Sequence, residues 1–255
     1  MMTNDPRKLE LLESMKGGLI VSCQTQKDEP IYTPDMVVKM AECAKWAGAV
    51  GLRLNSPEQI RQVREANLGL PIIGLYKVWY DDTDVFITPS MKEVDAIVEA
   101  GCDIIALDCT AQINHEGRPA WDLLPEVRAK YPDHLIFADV SNIEEAERAA
   151  ENGADIVAPT LYGYTKETAH IEGADFRMIG ELCRRLKGKA CVMHEGHIYT
   201  PDEAMKCIFL GCHAVVVGSA ITRPHYTAKR FVDALSGYND NWRNVEKAKH
   251  TNELK

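Results

Sequence analysis

The 255-residue sequence lacks a CxxC pair, a GxGxxG stretch behind its first apolar run, an HExxH motif, and any apolar run long enough to span a bilayer. Each absence removes a class of protein. Eight cysteines (Cys23, Cys43, Cys102, Cys109, Cys183, Cys191, Cys207 and Cys212) without paired spacing, mostly among apolar neighbours, read as reduced core residues. Cys23 and Cys109 end apolar runs and are the positions open to a catalytic thiol, but neither has an adjacent His to generate thiolate. The missing Gly-rich first turn argues against an open, doubly wound dinucleotide-binding sheet. With no membrane-length run and a start, Met1 to Glu13, too polar for a secretory signal, a cytoplasmic protein is expected. Positive charge is also short: 29 Lys and Arg against 38 Asp and Glu leave a net charge of −9. That balance argues against nucleic acid or a membrane surface as partner, and an anionic substrate would need a local basic pocket.

What is present is a globular composition, 45% hydrophobic and 26% charged, at a length typical of one eight-fold βα barrel. Short apolar runs alternate with longer amphipathic segments from Leu19 to Leu235, the pattern of parallel strands joined by crossover helices. It predicts eight strands, near residues 19–23, 49–53, 71–76, 103–108, 134–139, 155–159, 190–194 and 214–218. Helix starts are marked by Ser56-Pro57-Glu58-Gln59, by Ser141 with Glu144, and by Thr200-Pro201-Asp202-Glu203. Gly48, Gly101, Gly153 and Gly211 each end a helix directly before a strand. Tyr80 to Pro89 reads as an elongated βα loop on the side of a barrel where active sites form. The barrel is expected over residues 1–236, with 237–255 a polar C-terminal tail, frayed or forming a surface helix.

In such a fold the side chains just past the strand ends converge on one face. Those residues are Gln24 after strand one, Arg53 closing strand two, Lys77 after strand three, Asp108 closing strand four, Asp139 closing strand five and Glu195 after strand seven. An amine at Lys77, partly desolvated, makes a usable base; a Schiff-base role uses the same residue type. Glu195 can move a proton or bind sugar hydroxyls, with Gly196 permitting close approach of backbone to ligand. The flanking His194 and His197 invite a metal, but His194-Glu195-Gly196-His197 has the wrong spacing for a helical zinc motif, and no metal is expected. Val215 to Pro224 is a small-residue turn whose backbone N–H groups can hold phosphate, with Arg223 nearby. Arg53 and Asp139 are open to a purely structural reading as an ion pair at the rim.

These residues resemble the N-acetylmannosamine-6-phosphate 2-epimerase family. The resemblance runs from Lys16 to Leu235 and rests on Lys16-Gly-Gly-Leu-Ile-Val-Ser-Cys-Gln24, Gly48-Ala-Val-Gly-Leu-Arg53, Pro71-Ile-Ile-Gly-Leu-Tyr-Lys77, Asp84-Val-Phe-Ile-Thr-Pro89, Asp103-Ile-Ile-Ala-Leu-Asp108, Ala138-Asp-Val-Ser141 and Val215-Val-Val-Gly-Ser-Ala-Ile-Thr-Arg-Pro224. It implies a single (β/α)8 TIM barrel of the ribulose-phosphate-binding type, an isomerase of amino-sugar and sialic-acid catabolism. It further implies Lys77 and Glu195 as catalytic residues, Gln24, Arg53 and Asp139 as substrate-binding residues, and Gly196, Gly218, Ser219 and Arg223 as phosphate-binding residues. A phosphorylated N-acetyl amino sugar as partner, no redox cofactor or metal, and a homodimer go with it. The chain departs from the family's usual pattern at Val78, Ser219, Ala158 to Thr165, His194 and His197. A Schiff-base lyase or aldolase on a phosphosugar, and a catalytically silent sugar-phosphate binding protein, are the alternatives the residues leave open.

Overall fold

A computed structural model describes residues 3–171 and 173–237. Eight parallel strands close into a barrel in sequence order: β1 (Leu19–Cys23), β2 (Gly51–Asn55), β3 (Ile72–Leu75), β4 (Ile104–Asp108), β5 (Leu135–Asp139), β6 (Ile156–Ala158), β7 (Cys191–Glu195) and β8 (Ala214–Val217), with β8 paired back onto β1. Around them run α2 (Met36–Trp46), α3 (Pro57–Glu65), α4 (Met91–Glu99), α5 (Leu123–Lys130), α6 (Ile143–Glu151), α7 (Phe176–Arg185) and α8 (Pro201–Phe209). A short α9 (Ser219–Thr222) follows β8 directly, and residues 224–237 are helical. The fold is a (β/α)8 TIM barrel. No helix among the described residues is long and apolar enough to cross a membrane. The tail expected over 237–255 lies, beyond Gly237, outside the described residues.

Most strand ends fall within a residue or two of the sequence expectation; Glu195, expected after strand seven, is the last residue of β7, and two further details differ. Strand two begins at Gly51 rather than at residue 49, because Gly48 at φ 86° closes α2 and Ala49 N–H still donates to Ala44 in that helix. Arg53 therefore sits in the middle of β2, and Asn55 closes it. The cap of α6 is Asn142, whose side chain accepts from Glu145 N–H, rather than Ser141 with Glu144. Ser141 is drawn instead into the reciprocal bonds, its N–H and Oγ both donating to Glu145. The caps at Ser56 and Thr200 form as expected, the latter with the complete reciprocal pair to Glu203.

The core has two layers because strand side chains alternate with period two. Leu52, Leu54, Ile105, Leu107, Ile136, Ala138, Val157 and Val192 face the helices. Ile20, Ile73, Leu75, Ile104, Ala106, Leu135, Phe137, Ile156, Met193 and Val216 fill the barrel, sealed at the N-terminal end by Leu12 and Met15 of α1 (Pro6–Met15). The same parity carried to the C-terminal ends of the strands turns Ser22, Gln24, Arg53, Lys77, Asp108, Asp139, Thr160, Glu195 and Gly218 inward, and His194 outward.

The outer layer leaves no room at one point on β3. A Cβ on Gly74 would lie 2.6 Å from Cys102 Cβ and 2.9 Å from Ile60 Cδ1. Gly74→Ala should therefore destabilise the protein by about 1–3 kcal/mol through overpacking. Urea unfolding of the variant against the parent measures this, and an unchanged midpoint would contradict the close packing of β3 on α3.

Candidate active site

Inward-facing residues at the C-terminal ends of the strands surround one cavity of about 240 Å³. Gln24, Arg53, Lys77, Glu195, Gly196, Gly218, Ser219 and Arg223 all line it, so the barrel brings together eight of the nine residues to which the family resemblance gives a role. The ninth, Asp139, is fully buried behind Arg53 and is not part of the lining. Thr160, Tyr164, Tyr199 and Phe86 complete the walls. Tyr164, Tyr199 and Phe86 come from loops with no periodic pattern, which is why sequence reasoning missed them, whereas Thr160 continues the inward parity of β6.

Arg53 is the centre of the site. Its guanidinium lies 5.3 Å from the Phe137 ring, on top of the barrel's apolar filling, and is itself 1% exposed. Nη2 donates to both oxygens of Asp139, at 2.8 and 2.7 Å, and Nη1 donates to Glu195 Oε1 at 2.5 Å. An ion pair so far from water forms only if each charge is answered locally. Arg53 is answered by two carboxylates, and Lys77 supplies the second cation of the group. Burial works to lower the Arg53 pKa, but Asp139 and Glu195 outweigh it and raise it.

The other members are pushed towards neutrality. Burial lowers the Lys77 amine to about 8, and the Arg53 charge adds to that. Burial raises the Glu195 carboxyl to about 7 and raises Asp139 as well, with Arg53 opposing in both cases. Lys77 is held by its backbone: its N–H donates to Asn55 Oδ1 at 2.8 Å and it pairs antiparallel with Ile87, so the elongated loop folds back on itself at once. Glu195 Oε2 and Arg53 Nε are buried with no partner among the described residues, as are groups that a ligand or solvent completes.

Asp108 takes no place in this lining. Its Oδ1 accepts from Thr110 N–H and Oγ, and burial raises its pKa to about 7. The two cysteines at strand ends are buried thiols: desolvation pushes Cys23 up to about 12 and Cys109 well above the ordinary thiol range. Neither supplies a nucleophile near neutral pH. His194 faces the helices, its Nε2 2.9 Å from Gly196 O, and burial lowers it to about 4. His197 is turned the other way, into the cavity lining, at φ 54°. Among the described residues no group of three or more His, Cys, Asp or Glu side chains is arranged to hold a metal ion.

At the opposite wall Gly218 packs against Ser22, with 3.3 Å from a built Cβ to Ser22 Cβ. Gln24 Nε2 donates to Ser22 Oγ at 2.9 Å, and Thr222 Oγ donates to Ser22 O at 3.0 Å. Arg223 Nε pairs with Glu29 Oε1 at 2.9 Å, which fastens the loop after β1 to the turn after β8.

The chain's likeness to known proteins agrees with this geometry. Residues 37–237 match the family model described as "Putative N-acetylmannosamine-6-phosphate epimerase". The chain belongs to this family. A Listeria monocytogenes relative is 42% identical over 227 residues, spanning 88% of this chain and 94% of its own length, and a Caldanaerobacter subterraneus relative is 40% identical over 225 residues with the same coverage. Both bear the name "Putative N-acetylmannosamine-6-phosphate 2-epimerase". The solved structure of the N-acetylmannosamine-6-phosphate 2-epimerase from Clostridium perfringens superposes with a TM-score of 0.82 at 40% identity, covering 88% of this chain and 96% of that one.

The buried pairing of Arg53 predicts a stability effect. Arg53→Met leaves Asp139 fully buried without its partner and should cost about 3 kcal/mol or more at neutral pH, whereas Arg53→Met combined with Asp139→Leu should cost less than the single change. Urea unfolding measures both. A single variant within about 1 kcal/mol of the parent would show that the pair carries little.

Proposed function

We propose that this chain interconverts N-acetylmannosamine 6-phosphate and N-acetylglucosamine 6-phosphate by inverting C2. The observation that carries the reading is one cavity in which an amine and a carboxyl group, both shifted towards neutral pH, lie beside a buried guanidinium. Epimerisation at C2 needs those three functions. In the open-chain sugar the C1 aldehyde acidifies the C2 hydrogen. Neutral Lys77 takes that proton, the C2–H electrons pass into the C1 carbonyl, and the resulting enolate is stabilised by positive charge at Arg53. Glu195, with its pKa near 7, returns a proton to the other face of C2, after which Lys77 gives up its proton and Glu195 regains one by exchange with solvent, restoring both groups. Each turnover leaves the carbon skeleton at its starting oxidation level, so the reaction calls for no redox cofactor, and Arg53 takes the part a metal would play.

Asp139 acts beneath the substrate by holding Arg53 through two hydrogen bonds, and Gln24 and Arg53 face the sugar. Gly196, Gly218, Ser219 and Arg223 form the phosphate end: backbone at the Gly196 and Gly218 turns approaches closely, and Arg223 offers guanidinium donors. Gly196 at φ 100° has a conformation that a side chain would strain.

We propose a homodimer as the working form. Its support is apolar surface: Phe231, Val232 and Leu235 of the helix over 224–237 stand exposed, and an apolar groove of about 420 Å³ lined by Leu19, Ile198, Met205, Ile208 and Ile221 lies between α8 and α9. A charged sugar phosphate does not cross a bilayer unaided, so the proposed place of action is the cytoplasm. The net charge of −9 supports the absence of nucleic-acid and membrane partners.

Lys77→Met tests the chemistry. In D₂O with chelator present, the parent should convert N-acetylmannosamine 6-phosphate with deuterium entering at C2, seen by proton NMR. The variant should lose both conversion and exchange; persistent exchange at C2 would remove Lys77 from the role of base. The same variant should melt at a higher temperature than the parent. The folded-state pKa of Lys77 is about 8 against an ordinary 10.5, so the unfolded chain binds more protons between those values. Lys77 therefore opposes folding fully below about pH 8, and the penalty fades as pH rises towards 10.5.

A further inference from the structure

The phosphate end of the proposed site is short of positive charge. Arg53 is already matched by Asp139 and Glu195, and Lys77 belongs to the proton-transfer group. Arg223 is paired through Nε with Glu29, whose side chain is only 9% exposed, so guanidinium and carboxylate together contribute no net charge. A phosphate monoester carries a charge of about −1.5 to −2 near pH 7. Something else has to answer it.

His197 has the position and the free atom. It lines the same cavity as Arg223, Gly196 and Ser219. Its Nε2 lies 3.1 Å from the Tyr162 carbonyl, which can only accept, so Nε2 carries a proton and Nδ1 is the ring atom left for a ligand. Among the described residues Nδ1 makes no hydrogen bond and is not a buried orphan, in contrast to Nδ1 of His194. The ring stacks on Tyr164 at 5.2 Å and 18°, a contact that favours a charged imidazole face. The residue is kept at φ 54°, a backbone conformation that costs free energy and persists where surrounding structure enforces it.

We propose that His197 is a further phosphate-binding residue, whose cationic ring donates from Nδ1 and supplies the positive charge that the Arg223–Glu29 pair lacks. The inference rests on the reading of this end of the cavity as the phosphate subsite. Of the titratable and charged groups, Tyr164 from the loop after β6 stacks on the ring, His194 on β7 feels its charge, and Glu195, Tyr199 and Arg223 line the same cavity; Tyr162 faces the ring through its carbonyl. Phosphate and proton then bind with mutual reinforcement: a bound dianion favours the charged ring, and the charged ring holds the dianion more tightly.

The experiment uses the full-length protein and inorganic phosphate as probe. The His197 Cε1–H resonance, assigned by its loss in His197→Asn, is followed by NMR between about pH 5.5 and 8.5 with and without phosphate. Asn tolerates a positive φ and keeps a donor while removing the charge. Phosphate should move the His197 midpoint upwards, by about one pH unit. At about pH 6.5 His197→Asn should bind phosphate roughly tenfold more weakly than the parent and lose the part of the pH dependence that the parent adds to phosphate's own. A midpoint unmoved by phosphate, a variant that binds it as tightly as the parent, or no phosphate binding at all would each overturn the proposal. Loss of epimerisation with the phosphate-linked shift intact would sink the substrate reading instead, and turnover with an unmoved midpoint would sink this inference alone.

Discussion

A guanidinium buried on top of the barrel's apolar filling is the constraint from which the rest of this site follows. Arg53 rests over Phe137 and is 1% exposed, so its charge has to be answered by neighbours rather than by water. Asp139 and Glu195 answer it from β5 and β7, and that geometry fixes where both carboxylates point. Once two carboxylates share one cation in a dry place, the next cation is drawn to the same spot, and Lys77 enters from the end of β3. Each member shifts the others: Arg53 and burial hold the Lys77 amine down near 8, while burial and Asp139 hold Glu195 up near 7. A base and an acid suited to neutral pH arise from one packing decision.

The cost of the arrangement is visible in the fold beneath it. The filling of the barrel is apolar, and α1 closes the far end with Leu12 and Met15, so the network rests on a dry layer. Lys77, Glu195 and Asp139 are held in states that each oppose folding to some degree, and the surrounding apolar layers supply the stability that offsets this. The wall that carries Gly218, Arg223 and His197 is built differently. Its groups are set in loops and turns, tied by contacts such as Arg223 to Glu29 and His197 to the Tyr162 carbonyl, and in the proposed reading it meets a charge that stays on the substrate.

Much of this is legible in the sequence. The alternation of apolar runs and amphipathic segments predicts eight strands, and the barrel contains eight. Period two along those strands is enough to turn Gln24, Arg53, Lys77, Asp139 and Glu195 to the inside, because each lies an even number of residues from a core position such as Ile20, Gly51, Ile73, Phe137 or Met193. The two-residue slip at the start of β2 did not disturb Arg53, since a slip of two preserves parity. Three things were not legible. Distances across a closed barrel depend on strands far apart in sequence, so the depth of Asp139 behind Arg53 and the two-sided pairing of Arg53 emerge only on closure. Loop residues such as Tyr164, Tyr199 and Glu29 follow no period and carry no local sign of where they end. The choice of Asn142 over Ser141 as helix cap turns on which of two adjacent polar residues reaches the free N–H group, and both satisfy the pattern in sequence.

The central claim is that burial beside Arg53 lowers the Lys77 amine far enough for a usable fraction to be neutral near physiological pH. Direct titration of the Lys77 Nζ by NMR, in protein labelled at lysine and assigned through Lys77→Met, tests it without any assumption about substrate. The account predicts a midpoint near 8, well below the ordinary 10.5. A midpoint at or above 10.5 would mean that Lys77 is an ordinary solvated ammonium and that the network does not prepare a base.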